Sequence, residues 1–252
     1  MTTKKIAVAG KGGTGKTTFT ALLIKELIRQ EKGEIIAVDA DPNSNLNEAL
    51  GLDVKETIAD ILDEVKSGKT IPEGMPKDVF VEWRLNQILT ESPDVDLIVM
   101  GIPQGSGCYC FPNDLMRKYL ESLKENYEYI VMDNEAGMEH LSRKIVTGID
   151  ALFVVSDSSA RAIRSAGRVH EIVKTVGIDV KDIYLVVTKT LGEDSLIQLG
   201  EEIEKTGLKL IGDIPYDEAV VKQDLAGKAL SELGDESKAV LAVREIIKKA
   251  NL

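Results

Sequence analysis

Ile6-Ala7-Val8-Ala9-Gly10-Lys11-Gly12-Gly13-Thr14-Gly15-Lys16-Thr17 decides the fold. An unbroken apolar run, the pattern of a strand buried on both faces, leads directly into G-x-x-x-x-G-K-T, Gly10 to Thr17. Phe19, Leu23 and Leu27 then follow at helical spacing. Strand, glycine-rich loop and helix in that order are the context a phosphate-binding loop requires. Gly12, Gly13 and Gly15 let backbone N–H groups converge on phosphate oxygens with no Cβ in the way, Thr14 lies among them, and the helix N-terminus adds its positive end. Lys16 is expected to reach the β- and γ-phosphates, and the Thr17 hydroxyl to bind Mg²⁺. Thr18, next in line, joins the same nucleotide-binding set.

Outward from this loop, short apolar runs alternate with helical patterns. Strands are expected at 6–9, 34–38, 96–100, 129–132, 151–155 and 183–187, with a weaker one at 208–211. Helices are expected near 114–126, 159–176, 194–206 and 236–249. The alternation predicts an α/β fold, a doubly wound, mostly parallel sheet with helices on both faces. No Pro/Gly/Ser linker or repeat divides the chain, so residues 1–252 are read as one domain, with an irregular insertion over about 52–95 and a surface loop from Gly68 to Met75.

The hydrophobic share is 43%, enough for a sizeable core. A net charge of −11 argues against a protein that coats nucleic acid or an anionic membrane, both of which need basic surface. No run approaches the roughly 20 apolar residues of a spanning helix, and Met1 to Lys5 is too short for a signal peptide. A cytoplasmic protein is expected. In that reducing compartment its two cysteines, Cys108 and Cys110, read as metal ligands or redox thiols before a structural disulfide.

The second lysine inside the loop, Lys11, gives G-K-G-G-x-G-K-T, which resembles the deviant Walker A motif of the ParA/MinD, nitrogenase iron-protein and arsenite-pump ATPases. The resemblance implies Mg-ATP hydrolysis in a homodimer, with Lys11 crossing to the partner's nucleotide to stabilise charge on the transferred phosphoryl. Val38-Asp39-Ala40-Asp41-Pro42 resembles that superfamily's switch I, in which Asp41 would orient the attacking water and Asp39 support the Mg²⁺ shell. Asp133-Asn134-Glu135-Ala136-Gly137 resembles its switch II, with Asp133 holding Mg²⁺ through water. Each aspartate follows an apolar run, and so emerges at the carboxyl edge where open α/β sheets bind ligands. Where relatives read the base with an Asn-Lys or Asn-Arg pair, this chain has Thr188-Lys189, and Gly212 to Tyr216 resembles the second base-contacting loop, with Pro215 against the ring.

Cys108-Tyr109-Cys110 narrows the reading further. Thiols at i and i+2 of one segment supply two ligands, whereas a tetrahedral or square-planar ion wants four. The chain's two histidines, His140 and His170, match no ligand motif, and His140 reads more simply as a hydrogen-bonded or packing residue. Two-fold symmetry removes the shortage by bringing two C-x-C pairs to one axis. The spacing alone is less specific than paired C-x-x-C knuckles, and two small buried residues are its plain alternative.

Together, GKGGTGKTT, DADPNSNL, GCYCFPNDL and DNEAGMEHLSR resemble the CooC family of nickel-insertion ATPases, which mature carbon monoxide dehydrogenase, with near relatives serving acetyl-CoA synthase. That resemblance implies an ATP-driven dimer holding Ni²⁺ on paired Cys108 and Cys110, a ligand set that Zn²⁺ also fits. The acidic balance and the C-x-C pair argue against a nucleic acid or membrane partner. The alternatives are a partitioning or positioning ATPase, an iron–sulfur cluster carrier, and a redox ATPase, the last lacking a cysteine after Asp133. Trp83, inside the insertion, reads as core or interface, and the amphipathic stretch 239–250 as a helix packed on the sheet rather than a membrane anchor.

Overall fold

The computed structural model describes residues 3–43, 45–67, 71–102, 110–123, 125–134, 148–192 and 194–252, without the side chains of Asp78 and of residues 110–113. Within them β1 (Lys4–Gly10), β2 (Ile35–Asp39), β3 (Asp96–Val99), β4 (Tyr129–Asp133), β5 (Ile149–Asp157), β6 (Val180–Thr190) and β7 (Lys209–Pro215) form one sheet in the order 3-2-4-1-5-6-7. Every strand pairing is parallel. Central strands without solvent contact need apolar side chains on both faces, which is why they read as unbroken runs: β2 and β4 are buried at every residue.

The helices are α1 (Lys16–Arg29), α2 (Leu46–Leu50), α3 (Ile58–Ser67), α4 (Lys77–Ile88), α5 (Cys110–Leu123), α6 (Ala160–Val176), α7 (Asp194–Thr206), α8 (Glu218–Leu225) and α9 (Lys238–Lys249). Cores lie on both faces of the sheet. Phe19, Leu23 and Leu27 of α1 pack with Val240, Val243 and Ile247 of α9 in one cluster. Ile163, Ala166 and Val169 of α6 pack with Leu152 and Leu185 in another. The apolar side of α9 is thus consumed by packing, as its pattern predicts.

The stretch over 52–95 is not irregular: it carries α3 and α4. The start of α3 is written in Thr57-Ile58-Ala59-Asp60, where the Thr57 N–H and the Thr57 hydroxyl both donate to the Asp60 carboxylate at 2.7 Å. Arg84 of α4 fixes the pair, donating to Glu64 of α3 through Nε (2.8 Å) and to Glu56 through Nη2 (2.8 Å). Trp83 is not core: it is 50% exposed on α4, its ring 6.0 Å from that of Phe80.

One buried charge ties α1 to α9. Glu26 is fully buried and accepts from Arg244 Nε at 2.9 Å and Nη2 at 3.0 Å, and from Arg29 Nε at 2.9 Å. Burial alone would raise its pKa, but the two guanidinium groups outweigh it and hold the carboxyl below its usual range. Arg244→Ala leaves that carboxylate with one partner, and we expect a loss of roughly 2–4 kcal/mol in denaturant unfolding. An unchanged midpoint shows that the pair is not holding the two helices together.

Candidate functional site

The site is assembled where β1, β2, β4 and β6 end. β1 stops at Gly10, whose φ is +151° and where an added Cβ would run into the Val155 carbonyl oxygen of β5; only glycine fits. The loop then curls on itself, with the Thr14 hydroxyl donating to the Lys11 carbonyl at 2.8 Å. Gly15 caps α1 in the left-handed region, φ +85°, and the helix opens at Lys16. Lys16 is buried, whereas Lys11, Gly12 and Gly13 are exposed on the loop.

Two hydroxyls of α1 lie at the end of β4. Thr17 Oγ1 donates to Asp133 Oδ2 at 2.6 Å, and Thr20 Oγ1, which donates to the Lys16 carbonyl at 3.0 Å, has Asp133 Oδ1 as a second acceptor at 3.3 Å. Thr20 escaped the sequence reading because it fits the helix's buried stripe; its spacing of three from Thr17 is the signal that both share a face. Asp39 is the register partner of Asp133 across the β2–β4 pairing. It is fully buried, and its two oxygens accept from the backbone N–H groups of Asp41 (3.1 Å) and Leu46 (3.0 Å). The expected role of Asp39 in a metal shell is therefore joined by a structural one, spanning both ends of the switch-like turn. Asp41 accepts from the backbone N–H of Asn43 at 2.9 Å in that same turn.

Burial pushes Asp39 up to about 7, with the neighbouring Asp133 charge adding to the rise and the Leu46 N–H opposing it. Burial raises Asp133 to about 6, opposed by the Thr17 hydroxyl and the Lys16 charge. Hard oxygen donors facing a bound polyphosphate suit Mg²⁺, which takes few protein ligands and keeps waters. Among the described residues, no three acidic, His or Cys side chains gather to cage an ion by themselves. Beside Asp133, Asn134 donates from Nδ2 to the Val8 carbonyl at 2.9 Å.

A cavity of about 280 Å³ opens beside the loop, lined among others by Thr18, Thr188, Lys189, Pro215 and Tyr216. It unites the residues expected to meet the base with Phe19, Val220 and Val221, which sequence reasoning had assigned to packing or left unread. A larger cavity, about 410 Å³, lies apart from the phosphate loop among α3, α4 and α5 and is floored by Val65, Val81 and Leu85. Cys108 and His140 lie outside the described residues, and Cys110 is described only as the backbone start of α5.

Asp39 gives the pH test. Its folded pKa is raised above the ordinary 3.8, so the folded chain retains a proton that the unfolded chain gives up. Stability is therefore lost as pH rises from about 4, and the loss is complete above about 7. Asp39→Asn, which cannot titrate, is expected to flatten this part of the profile in nucleotide-free unfolding measurements. Parallel profiles for the two proteins contradict the assignment.

Residues 5–230 match the CobQ/CobB/MinD/ParA nucleotide binding domain. The chain is 41% identical over 248 residues to an uncharacterized ATP-binding protein of Methanocaldococcus jannaschii, covering 97% of each. It is 30% identical over 256 residues to the carbon monoxide dehydrogenase accessory protein CooC of Rhodospirillum rubrum, covering 94% of this chain and 95% of that one. Its fold superposes on the septum site-determining protein MinD complexed with Mg-ADP from Pyrococcus horikoshii OT3 with a TM-score of 0.70, at 20% identity and covering 97% and 94% of the two chains. With its phosphate loop, its paired aspartates and a match over nearly its whole length, the chain belongs to the CobQ/CobB/MinD/ParA nucleotide-binding family.

Proposed function

We propose that this protein is an ATP-hydrolysing maturation factor of the CooC type, loading nickel into carbon monoxide dehydrogenase or acetyl-CoA synthase from a site shared by two subunits. Two observations support the reading: the C-x-C motif in the sequence, and a β3 strand that ends at the rim beside Asp39. β3 runs parallel to β2, and Met100, just past its end, donates its N–H to the Asp39 carbonyl at 2.9 Å. The chain thus leaves β3 beside Asp39, and α5 begins at Cys110. The full-length similarity to a carbon monoxide dehydrogenase accessory protein supports the same client.

In this reading Lys16 and the loop N–H groups hold the β- and γ-phosphates. Mg²⁺, when bound, neutralises charge on those phosphates, and Thr17, Asp133 and Asp39 are the residues that would hold and orient it. Asp41 orients the attacking water. Lys11, exposed on the loop, reaches the nucleotide of the partner subunit and stabilises charge spread over the transferred phosphoryl. ATP favours a closed dimer in which Cys108 and Cys110 of each subunit give four thiolates to Ni²⁺, a ligand set that also accepts Zn²⁺. Loss of the γ-phosphate contacts opens the dimer and releases the cargo, because a ligand shifts such an equilibrium only by its differential contacts.

A MinD-like positioning ATPase is the second reading, favoured by the MinD likeness in fold. Against it stand the net charge of −11 and the burial of the apolar side of α9, with Val240, Val243 and Ile247 inside the core. ATP-dependent, salt-sensitive retention on DNA or anionic liposomes supports that second reading.

Lys16→Ala is expected to lower ATP turnover at least ~100-fold, as loss of a main transition-state charge contact does; turnover near the wild-type value removes the enzymatic claim. Metal titration of the wild type with a non-hydrolysable ATP analogue should give one tight Ni²⁺ per two chains, since four thiolates bind one ion. Changing Cys108 and Cys110 together to Ser should abolish that tight binding. One tight ion per chain, or unaltered affinity in the double variant, rules out the shared site.

A further inference from the structure

We propose that Thr188 and Lys189 are positioning residues for the phosphate loop, and that the cavity beside them anchors a nucleotide through its polyphosphate while accepting different purine bases. The proposal rests on the nucleotide-binding reading of the loop and goes beyond it. By sequence position both residues face a base. In the structure their polar atoms are turned onto the loop instead: Thr188 Oγ1 donates to the Thr14 carbonyl at 2.7 Å, and Lys189 Nζ to the Gly13 carbonyl at 2.8 Å. Thr188 has a second acceptor in range, the Ser156 carbonyl at 3.3 Å. A hydroxyl carries one proton, and the shorter contact takes it.

Consecutive side chains of a strand point to opposite faces, so an extended β6 would send Lys189 away from the partner of Thr188. Lys189 departs from the strand conformation. Its φ is +58°, a left-handed conformation that a residue with a Cβ adopts at a cost, and the Ser158 hydroxyl holds the turned peptide by donating to the Lys189 carbonyl at 2.9 Å. The result is that neighbouring residues grip neighbouring carbonyls of one loop.

The consequence follows from peptide geometry. In a planar trans peptide the C=O of one residue and the N–H of the next point in opposite directions. Drawing the Gly13 and Thr14 carbonyls toward β6 therefore turns the N–H groups of Thr14 and Gly15 to the other side. Among the described residues the Thr14 N–H meets the Lys11 carbonyl, at a long 3.4 Å. The grip thus sets the direction of donors in a loop whose work is to hold phosphate oxygens.

Among the described residues that line the cavity no side chain is an amide, the group that pairs with a base edge through both a donor and an acceptor; its hydroxyls are those of Thr18, Thr188 and Tyr216. The Asp217 carboxylate is occupied by the Ala219 N–H (2.8 Å), the Ser237 hydroxyl (2.7 Å) and the Ala239 N–H (3.1 Å). Phe19, Ile214, Pro215, Val220 and Val221 supply apolar contact. An apolar pocket discriminates weakly between ligands of similar shape.

Calorimetric titration of the intact protein tests this with three probes, each with Mg²⁺: a non-hydrolysable ATP analogue, the matching GTP analogue and inorganic tripolyphosphate. Lys189→Met and Thr188→Val are expected to weaken the ATP analogue and tripolyphosphate by the same factor, about tenfold for a lost hydrogen bond on the loop. Thr188→Ser, which keeps the hydroxyl, should retain wild-type affinity for both. The wild type should bind the two nucleotide analogues within about tenfold of each other. Lys189 is exposed, so its variant remains informative where buried Thr188→Val fails to fold. The proposal is overturned if the variants lose the nucleotide analogues but hold tripolyphosphate, because the residues then serve the base. It is equally overturned if neither variant changes any affinity, or if the wild type prefers one base by a thousandfold. A wild type that binds none of the probes instead removes the nucleotide reading on which the proposal rests.

Discussion

A 2.6 Å hydrogen bond from the first turn of α1 to the last residue of β4 is the contact on which the rest depends. Thr17 can reach Asp133 only if β1 and β4 lie side by side in parallel register, so that Val8 meets Asp133 and the phosphate loop overhangs the carboxylate. That register needs both strands buried on both faces, and hence helices on both sides of the sheet. The two-faced core and the site are therefore one constraint seen from its two ends. In the proposed nucleotide cycle, that hydroxyl would pass from the carboxylate to the cation when a charged ligand arrives.

The same edge gathers buried carboxyl groups at a cost. Asp39 and Asp133 sit opposite one another in adjacent strands with almost no water. Like charges so placed disfavour each other's ionisation, and the chain offsets the cost with backbone N–H groups on Asp39 and hydroxyls on Asp133. Those donors also do mechanical work. Through the N–H groups of Asp41 and Leu46, the Asp39 carboxylate fixes both ends of the turn that carries Asp41. In the proposed cycle, a charge arriving at the rim would act on the turn as well as on the carboxylates.

Elsewhere the molecule invests in rigidity. The Glu26–Arg244 pair joins the helix that opens at the phosphate loop to the helix near the end of the chain, and Arg84 makes one body of α3 and α4. Val240, Val243, Ile246 and Ile247 of α9 are closed into the core, and Leu241 is left exposed on the helix. In the proposed dimer, the exposed Lys11 is the residue that a second subunit would meet.

Much of this was legible in one dimension. The strand–loop–helix run at residues 6–28, the apolar runs of β2 to β6 and the aspartates closing β2 and β4 each rest on local pattern, because a strand buried on both faces and a helix buried on one leave different periods. The helices of 52–95 were equally written, in the Thr57–Asp60 cap and after Pro76, but the mixed pattern of Val79, Phe80, Val81 and Trp83 hides α4 from a period count. What sequence could not decide was partnership at long range. That Thr20 joins Thr17 at Asp133, that Asp39 grips a turn seven residues long, and that Thr188 and Lys189 hold the loop 174 and 176 residues before them depend on which strands become neighbours. Local pattern reports how each segment buries its own side chains; only the order of strands in the closed sheet determines whose polar atoms then meet at its edge.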